Sequence, residues 1–273
     1  MNRTNSGARA TSSSRFSVAF FALTLMALGI LGLIKGDFDP TWPPVPKSVP
    51  APKILAILSS FIYVASGAGL LWHRTAAVAS RVLLAYLLVW LLLLRVPQLF
   101  LLHPTLLAAW GFGQTAVMVA GAWVLYVRFA GDRDRQRLGF ATGDKGLRIA
   151  RALYGLSLIP FGLAHFVYLK ETVVLVPGWL PWPVAWAYVT GFAFIAAGVA
   201  VLIGVVARLA AMLSALQLSV FMLLVWVPHV AAGPISAFQW GEAVVTVALT
   251  ASAWVVADSY NGFSKRVVID RTS

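Results

Sequence analysis

The sequence predicts an all-α, polytopic membrane protein of about eight transmembrane helices, arranged as two repeated four-helix bundles. Three observations predict it. The 273-residue chain is 60% hydrophobic and only 11% charged, with a mean hydropathy of +0.85. A soluble domain carries about 25% charged residues, so this chain has too few to cover a water-exposed surface. Its apolar residues also fall in blocks of about 18–20, the length a helix needs to cross a bilayer core. Finally, the two halves resemble each other in register.

Residues 1–15 are polar, rich in Ser, Thr and Arg, and are predicted to be a disordered tail. The first apolar block runs from Phe16 to Ile34. It is long for a signal peptide, and its end, Leu31-Gly-Leu-Ile-Lys35, offers no small-residue cleavage site, so it reads as a retained helix. Three further blocks, near Ile54–Trp72, Val82–Gln98 and Ala108–Val127, complete a first membrane repeat over 16–127. A polar linker over 128–151 follows. The second repeat, 152–258, holds blocks near Ala152–Tyr168, Val184–Val206, Leu209–Val227 and Trp240–Asp258, with a polar tail over 259–273.

Orientation follows from the Lys and Arg count, because positively charged loops stay inside. With the N-terminus inside, sixteen cations fall on the inner side, seven of them in the linker, against five outside: Lys35, Lys47, Lys53, Arg95 and Lys170. Both termini are therefore expected to be cytoplasmic. Trp42, Trp110, Trp179, Trp182 and Trp240 fall near outer helix ends, where an indole sits among head groups.

The repeat is read from Val45-Pro-Lys-Ser-Val-Pro-Ala-Pro52 against Val176-Pro-Gly-Trp-Leu-Pro-Trp-Pro183. At an offset of 131 the match runs without a gap to Pro97 and Pro228, with 17 identities over 53 positions. Identical Leu and Val mean little in apolar sequence; aligned prolines and Gly67/Gly198 mean more. Both halves start on the same side, so this is a parallel repeat, an arrangement some transporters share. The Pro-rich outer loops read as stiff surface turns.

Several function classes are excluded. The net charge of +12 lies in short loops where membrane topology already requires it, with no basic face carrying interleaved aromatics for nucleic acid. Without cysteine there is no disulfide exchange, thiolate nucleophile or cysteine-held metal centre. Phosphate-binding glycine loops, HExxH and nucleophile elbows are missing, so no catalytic or metal-ligating residues are assigned.

Several short motifs, in order, are similar to the DoxX-like family of small four-helix membrane proteins. They are Phe161-Gly-Leu-Ala-His-Phe166, Val176-Pro-Gly-Trp-Leu-Pro181, Thr190-Gly191 leading to Gly198, Leu223-Leu-Val-Trp-Val-Pro228 and Trp240-Gly-Glu242. In the first half, Leu91-Leu-Leu-Leu-Arg-Val-Pro97 and Trp110-Gly-Phe-Gly-Gln114 look like the same ending. The resemblance implies a helical bundle in a bacterial plasma membrane. It also implies a link to respiratory or thiol-related redox complexes, with quinone as a cofactor in some members. One departure is clear: a Glu that often follows the Thr-Gly pair is replaced by Phe194, with Tyr63 opposite it in the first half.

Ionisable groups within membrane segments are costly and are default functional candidates. Arg95 precedes Pro97 near the outer end of the third helix, where snorkelling is the competing explanation. His165 lies in the outer part of the fifth helix and reads equally as a histidine bonded to nearby backbone. Glu242 begins the eighth helix, where a carboxylate complements the helix dipole. Gln114 reads as an interhelical hydrogen-bonding residue. Haem is disfavoured, because His73 lies on the wrong side and His103 and His229 sit at outer helix ends. The expectation is a polar cluster of Arg95, His165 and Glu242 beneath the Trp179-bearing loop, holding the head group of a quinone or lipid. The function expected is that of an accessory membrane component without independent catalysis, assisting a redox partner subunit. The alternatives are a small-molecule carrier and a structural or assembly protein.

Overall fold

The computed structural model describes residues 3–41, 45, 49–102 and 104–261, with side chains from Arg15 onward. Trp42, Lys47, His103 and the C-terminal cations Lys265, Arg266 and Arg271 lie outside the described residues. Those described form an all-helical, multi-pass membrane protein with eight helices long and apolar enough to cross a bilayer.

In the first half these are α1 (Arg3–Lys35), α2 (Pro52–Leu71), a third span over Ala76–Leu102 and α4 (Leu106–Phe129). The third span begins as α3 (Ala76–Trp90) and continues through two π-helical segments, Leu91–Arg95 and Gln98–Leu102. A short α5 (Asp132–Arg137) connects the halves. The second half has α6 (Gly143–Val167), a short α7 (Leu169–Val174), α8 (Pro183–Ile203), a seventh span and α11 (Ala237–Asp258). The seventh span comprises α9 (Ala207–Val220), a π-helical segment (Phe221–Trp226) and α10 (Val227–Ala231).

Several boundaries differ from the sequence reading, among them the third span, which covers Ala76–Leu102 against a predicted Val82–Gln98. Helix α1 starts at Arg3 instead of Phe16: the polar stretch holds no proline, and a helix already nucleated in the span extends at little cost. The polar linker shrinks from both sides, because α4 continues to Phe129 and α6 opens at Gly143, each adding turns that bear charges beyond the apolar core.

Helix starts coincide at the offset of 131. Pro52 and Pro183 each occupy the first turn, preceded by Ala51 (φ 45°) and Trp182 (φ 55°) in the left-handed region. The residue before proline is disfavoured in the right-handed helical region, and here both copies take the rarer alternative, which costs a non-glycine residue about 1–2 kcal/mol. Helices α3 and α9 begin at Ala76 and Ala207. Thr105 and Ser236 cap α4 and α11, their hydroxyls accepting from the backbone N–H of Ala108 and Gln239.

The first helices correspond at a different offset, 133. A Cβ added to Gly67 would sit 2.5 Å from the Ala22 carbonyl of α1, and one on Gly198 2.6 Å from the Gly155 carbonyl of α6. Reciprocally, Gly29 lies against Ser60 and Val64, and Gly162 against Gly191 and Ile195. Backbone-to-backbone contact of this kind is what small residues permit between membrane helices.

Helices α4 and α11 are the most buried spans and pack on each other at the centre of the molecule. Each also packs on the first helix of the opposite half, α4 on α6 and α11 on α1. Gly121 meets Ser252, its own counterpart at the offset of 131, with a Cβ added to Gly121 falling 3.1 Å from the Ser252 Cα. Contact between equivalent residues places the pseudo-twofold axis at that crossing.

One end of the bundle carries Pro50 and Pro52 of the first half and Pro177, Pro181 and Pro183 of the second. The other carries most of the described cations, including the Arg81–Asp134 ion pair (2.8 Å). Arg81 is half exposed, whereas Asp134 is largely covered and also accepts from the Gly131 N–H. Arg81→Ala is therefore expected to cost below about 1 kcal/mol, and Asp134→Ala more, since it also frees the connector's backbone. Thermal melting of the two variants in detergent checks the order; equal melting points would refute it.

Candidate functional site

The site begins with a proline. Pro97 has no N–H, and its ring excludes the carbonyl four residues earlier, so the turn before it widens to π-helical spacing. The Val96 N–H consequently reaches back to Leu91 O. Val227, before Pro228, does the same to Met222 O. The widened turn aims the residue just before the Val-Pro pair into the bundle. In the first half that residue is Arg95, in the second Trp226, and both are buried.

Arg95 is only 2% exposed. It does not snorkel; its guanidinium turns inward and joins three elements. Nε donates to Thr115 Oγ1 of α4 (3.1 Å), Nη1 to Gln98 Oε1 (3.3 Å) and Nη2 to the carbonyl of Thr41 (3.2 Å). Gly111 makes room for it, since a Cβ there would lie 3.2 Å from Nη1. The counterpart of Gly111 in the second half is Glu242.

Thr41 belongs to a stretch that enters the bundle instead of staying on its surface. Phe38, Asp39 and Thr41 are all buried. Asp39 Oδ1 accepts from the Thr41 N–H (3.0 Å) and hydroxyl (2.5 Å), closing an Asx-type turn. Buried Asp39 and Arg95 are thus joined through Thr41. Irregular backbone at such a depth is tolerated where protein surrounds it and satisfies its polar groups. Tyr63 places its hydroxyl 3.5 Å from Thr41 Oγ1 and its ring edge-on to Tyr86, whose hydroxyl bonds Ser59. Tyr86 in turn meets Trp90, and Trp90 meets Phe38.

Three consecutive residues of α4 face three neighbours. Gly113 packs on Phe161 and the Ser157 carbonyl of α6. Gln114 Nε2 donates to both carboxylate oxygens of Glu242 on α11, at 3.4 and 3.2 Å. Thr115 receives Arg95. Gln114 and Glu242 are therefore brought together, and Arg95 approaches α4 on the adjoining face. Gln114→Leu removes the amide that the half-buried Glu242 uses, and is expected to cost about 1–3 kcal/mol. The double variant with Glu242→Leu should recover most of it. A double-mutant cycle on melting temperature tests this, and strictly additive losses would contradict it.

His165 lies elsewhere. Its Nδ1 is 2.8 Å from the Phe161 carbonyl, its ring stacks on Phe221 (5.9 Å) and leans on Phe194 (5.6 Å). It shares no hydrogen bond with Arg95 or Glu242. Trp179 is 69% exposed and contacts none of the other four candidates through a hydrogen bond or ring.

The halves thus differ inside while matching outside. At the offset of 131, Phe194 replaces Tyr63, Gln217 replaces Tyr86, Phe221 replaces Trp90 and Trp226 replaces Arg95. Gln217 still spans the gap, donating to the Thr190 carbonyl at the position of Ser59 (3.0 Å). The difference is local: the surroundings of Arg95 are charged and hydroxyl-rich, whereas His165, Phe194 and Phe221 pack on one another in the second half, which keeps a buried Tyr154–Ser214 hydrogen bond (2.8 Å). Among the described residues no group of three or more His, Asp or Glu could hold a metal ion.

Asp39, Thr41, Thr115 and Tyr86 had no place in the sequence-based site. Asp39 sits in the polar sequence Gly36-Asp-Phe-Asp-Pro40, which reads as a surface loop. Its one distinguishing sign is the lack of the same acidic pattern in the matching second-half loop.

Fold and site together define a multi-pass helical membrane protein whose two halves match in their helices and differ at the position of Arg95. No family model, no curated protein and no solved structure matches the chain.

Proposed function

We propose that this protein is a DoxX-like accessory component of a bacterial plasma-membrane redox or respiratory complex, and that its first half holds the head group of a quinone or lipid beside Arg95. The observation that carries the reading is the buried guanidinium of Arg95, fixed by Thr115, Gln98 and Thr41. Arg95 lies seven residues from the end of its span at Leu102, about 10 Å of helix. A head group at that depth leaves its tail among the helices, as such ligands require.

A carrier that rocks one half against the other is the weaker reading. Such motion has to part the Gly121–Ser252 crossing and the Gln114–Glu242 bond, both of which lie at the seam. The test is native mass spectrometry of gently extracted protein. Wild type is expected to retain a stoichiometric quinone or lipid that Arg95→Gln loses while remaining monodisperse. Retention of the ligand by Arg95→Gln, or a bare wild-type protein, overturns the reading.

A further inference from the structure

The connector between the halves has a surface that the interior site does not explain. Helix α4 ends at Phe129 and α6 starts at Gly143, so a connector of about a dozen residues joins two neighbouring spans at one end of the bundle. Helix α6 has 25 residues, a length of about 37 Å against a hydrocarbon core of about 30 Å. Its first turns, with Lys145 and Arg148, therefore stand at head-group level.

Arg133, Arg135, Arg137, Lys145 and Arg148 are all exposed there, against two exposed carboxylates, Asp132 and Asp144. The third carboxylate, Asp134, is turned inward to Arg81. Among the cations stand exposed apolar side chains: Phe140 at 64%, Leu138 and Ile149. The connector is also held in shape. Trp123 Nε1 donates to the Ala141 carbonyl (2.9 Å), and Thr142 Oγ1 to the Leu138 carbonyl (3.1 Å). Gly146 lets the start of α6 close against the Ala141 backbone. The neighbouring connection between α2 and α3 contributes Arg74, and α9 opens with the exposed Arg208.

We infer that this connector is a binding surface for anionic phospholipid head groups. Guanidinium groups pair with phosphate oxygens in forked geometry. Phe140 and Leu138 supply the apolar insertion that an interfacial segment needs alongside its charges. Topology sets the partner: residues flanking two spans already lie in the phosphate layer, and their excess positive charge selects its anionic members. This surface is separate from Arg95 and stands whether or not the interior holds a ligand.

The cysteine-free chain allows a direct test. Gln136→Cys in α5, carrying a polarity-sensitive fluorophore, is placed in nanodiscs of phosphatidylcholine with increasing phosphatidylglycerol. The emission is expected to shift toward the blue as phosphatidylglycerol is added, and the shift should vanish in 0.5 M salt, which screens exposed charges. The triple variant R133Q/R135Q/R137Q should lose most of the shift at every phosphatidylglycerol fraction. Phe140→Ser should reduce the shift while leaving its salt dependence. An emission indifferent to phosphatidylglycerol, a shift that persists in high salt, or an acidic protein retained by the connector in place of lipid each overturn the inference.

Discussion

Gly162→Val should be among the most destabilising single substitutions in the chain. The Gly162 backbone lies directly against the Gly191 carbonyl and Ile195, so an added side chain meets the main chain of α8, which cannot yield as a flexible side chain would. Overpacking of this kind costs on the order of 3 kcal/mol, which lowers the melting temperature of a chain this size by about 10 °C. Gly29→Val, facing Ser60 and Val64 in the first half, should behave alike. Gly178→Ala is the control, because nothing lies within 4 Å of an added Cβ and its φ is not in the left-handed region. Size-exclusion profiles after graded heating measure all three. A Gly162→Val protein that melts within about 2 °C of wild type would falsify the close α6–α8 contact.

Arg95→Ala is the second large effect expected. The substitution empties a buried volume and leaves Thr41 O, Thr115 Oγ1 and Gln98 Oε1 without their donor; comparable losses of one partner from a buried charged network cost about 3–5 kcal/mol. The damage should also be local in a recognisable way. Arg95 bonds the carbonyl of Thr41 and so holds the inserted stretch from Phe38 to Thr41. With Pro40→Cys as the sole thiol, maleimide labelling from the Pro-rich side should accelerate at least about tenfold when Arg95 is also replaced. Arg95→Met, which keeps most of the volume, should destabilise less yet accelerate labelling as much. Unchanged labelling would mean that Phe38 on Trp90, and not the guanidinium, holds the stretch in place.

The spans were legible because bilayer thickness imposes one length on every crossing, and composition alone reveals it. Caps and prolines mark many of the boundaries, as Pro52, Pro183, Thr105 and Ser236 do. The correspondence of α1 with α6 was legible only in outline. Its offset is 133 and not 131, and the two-residue difference falls in the loops before Val45 and Val176, where an ungapped match stops. The site was half legible. Charge inside an apolar block singled out Arg95 and Glu242, and polarity singled out Gln114. Asp39 and Thr41 escaped because their burial is tertiary: a short polar stretch enters the bundle when Arg95, two spans away, pairs with its backbone. His165 has the same polarity signal as Arg95, yet its environment is aromatic, and no local pattern separates the two.

The Gly121–Ser252 crossing has a consequence for how the molecule holds together. Two separate copies of a four-helix unit, meeting through like residues, form a dimer whose population falls on dilution. Here a connector of about a dozen residues between α4 and α6 joins the copies, so association is intramolecular and its effective concentration is set by tether length, not by expression level. The joined copies are also released from identity. Each position in a true homodimer must serve both sides of the axis, whereas a fused pair can place glycine on one side and serine on the other. The same freedom lets one interior keep an arginine and its counterpart a tryptophan. Fusion makes the stoichiometry of the two unlike interiors fixed at one to one.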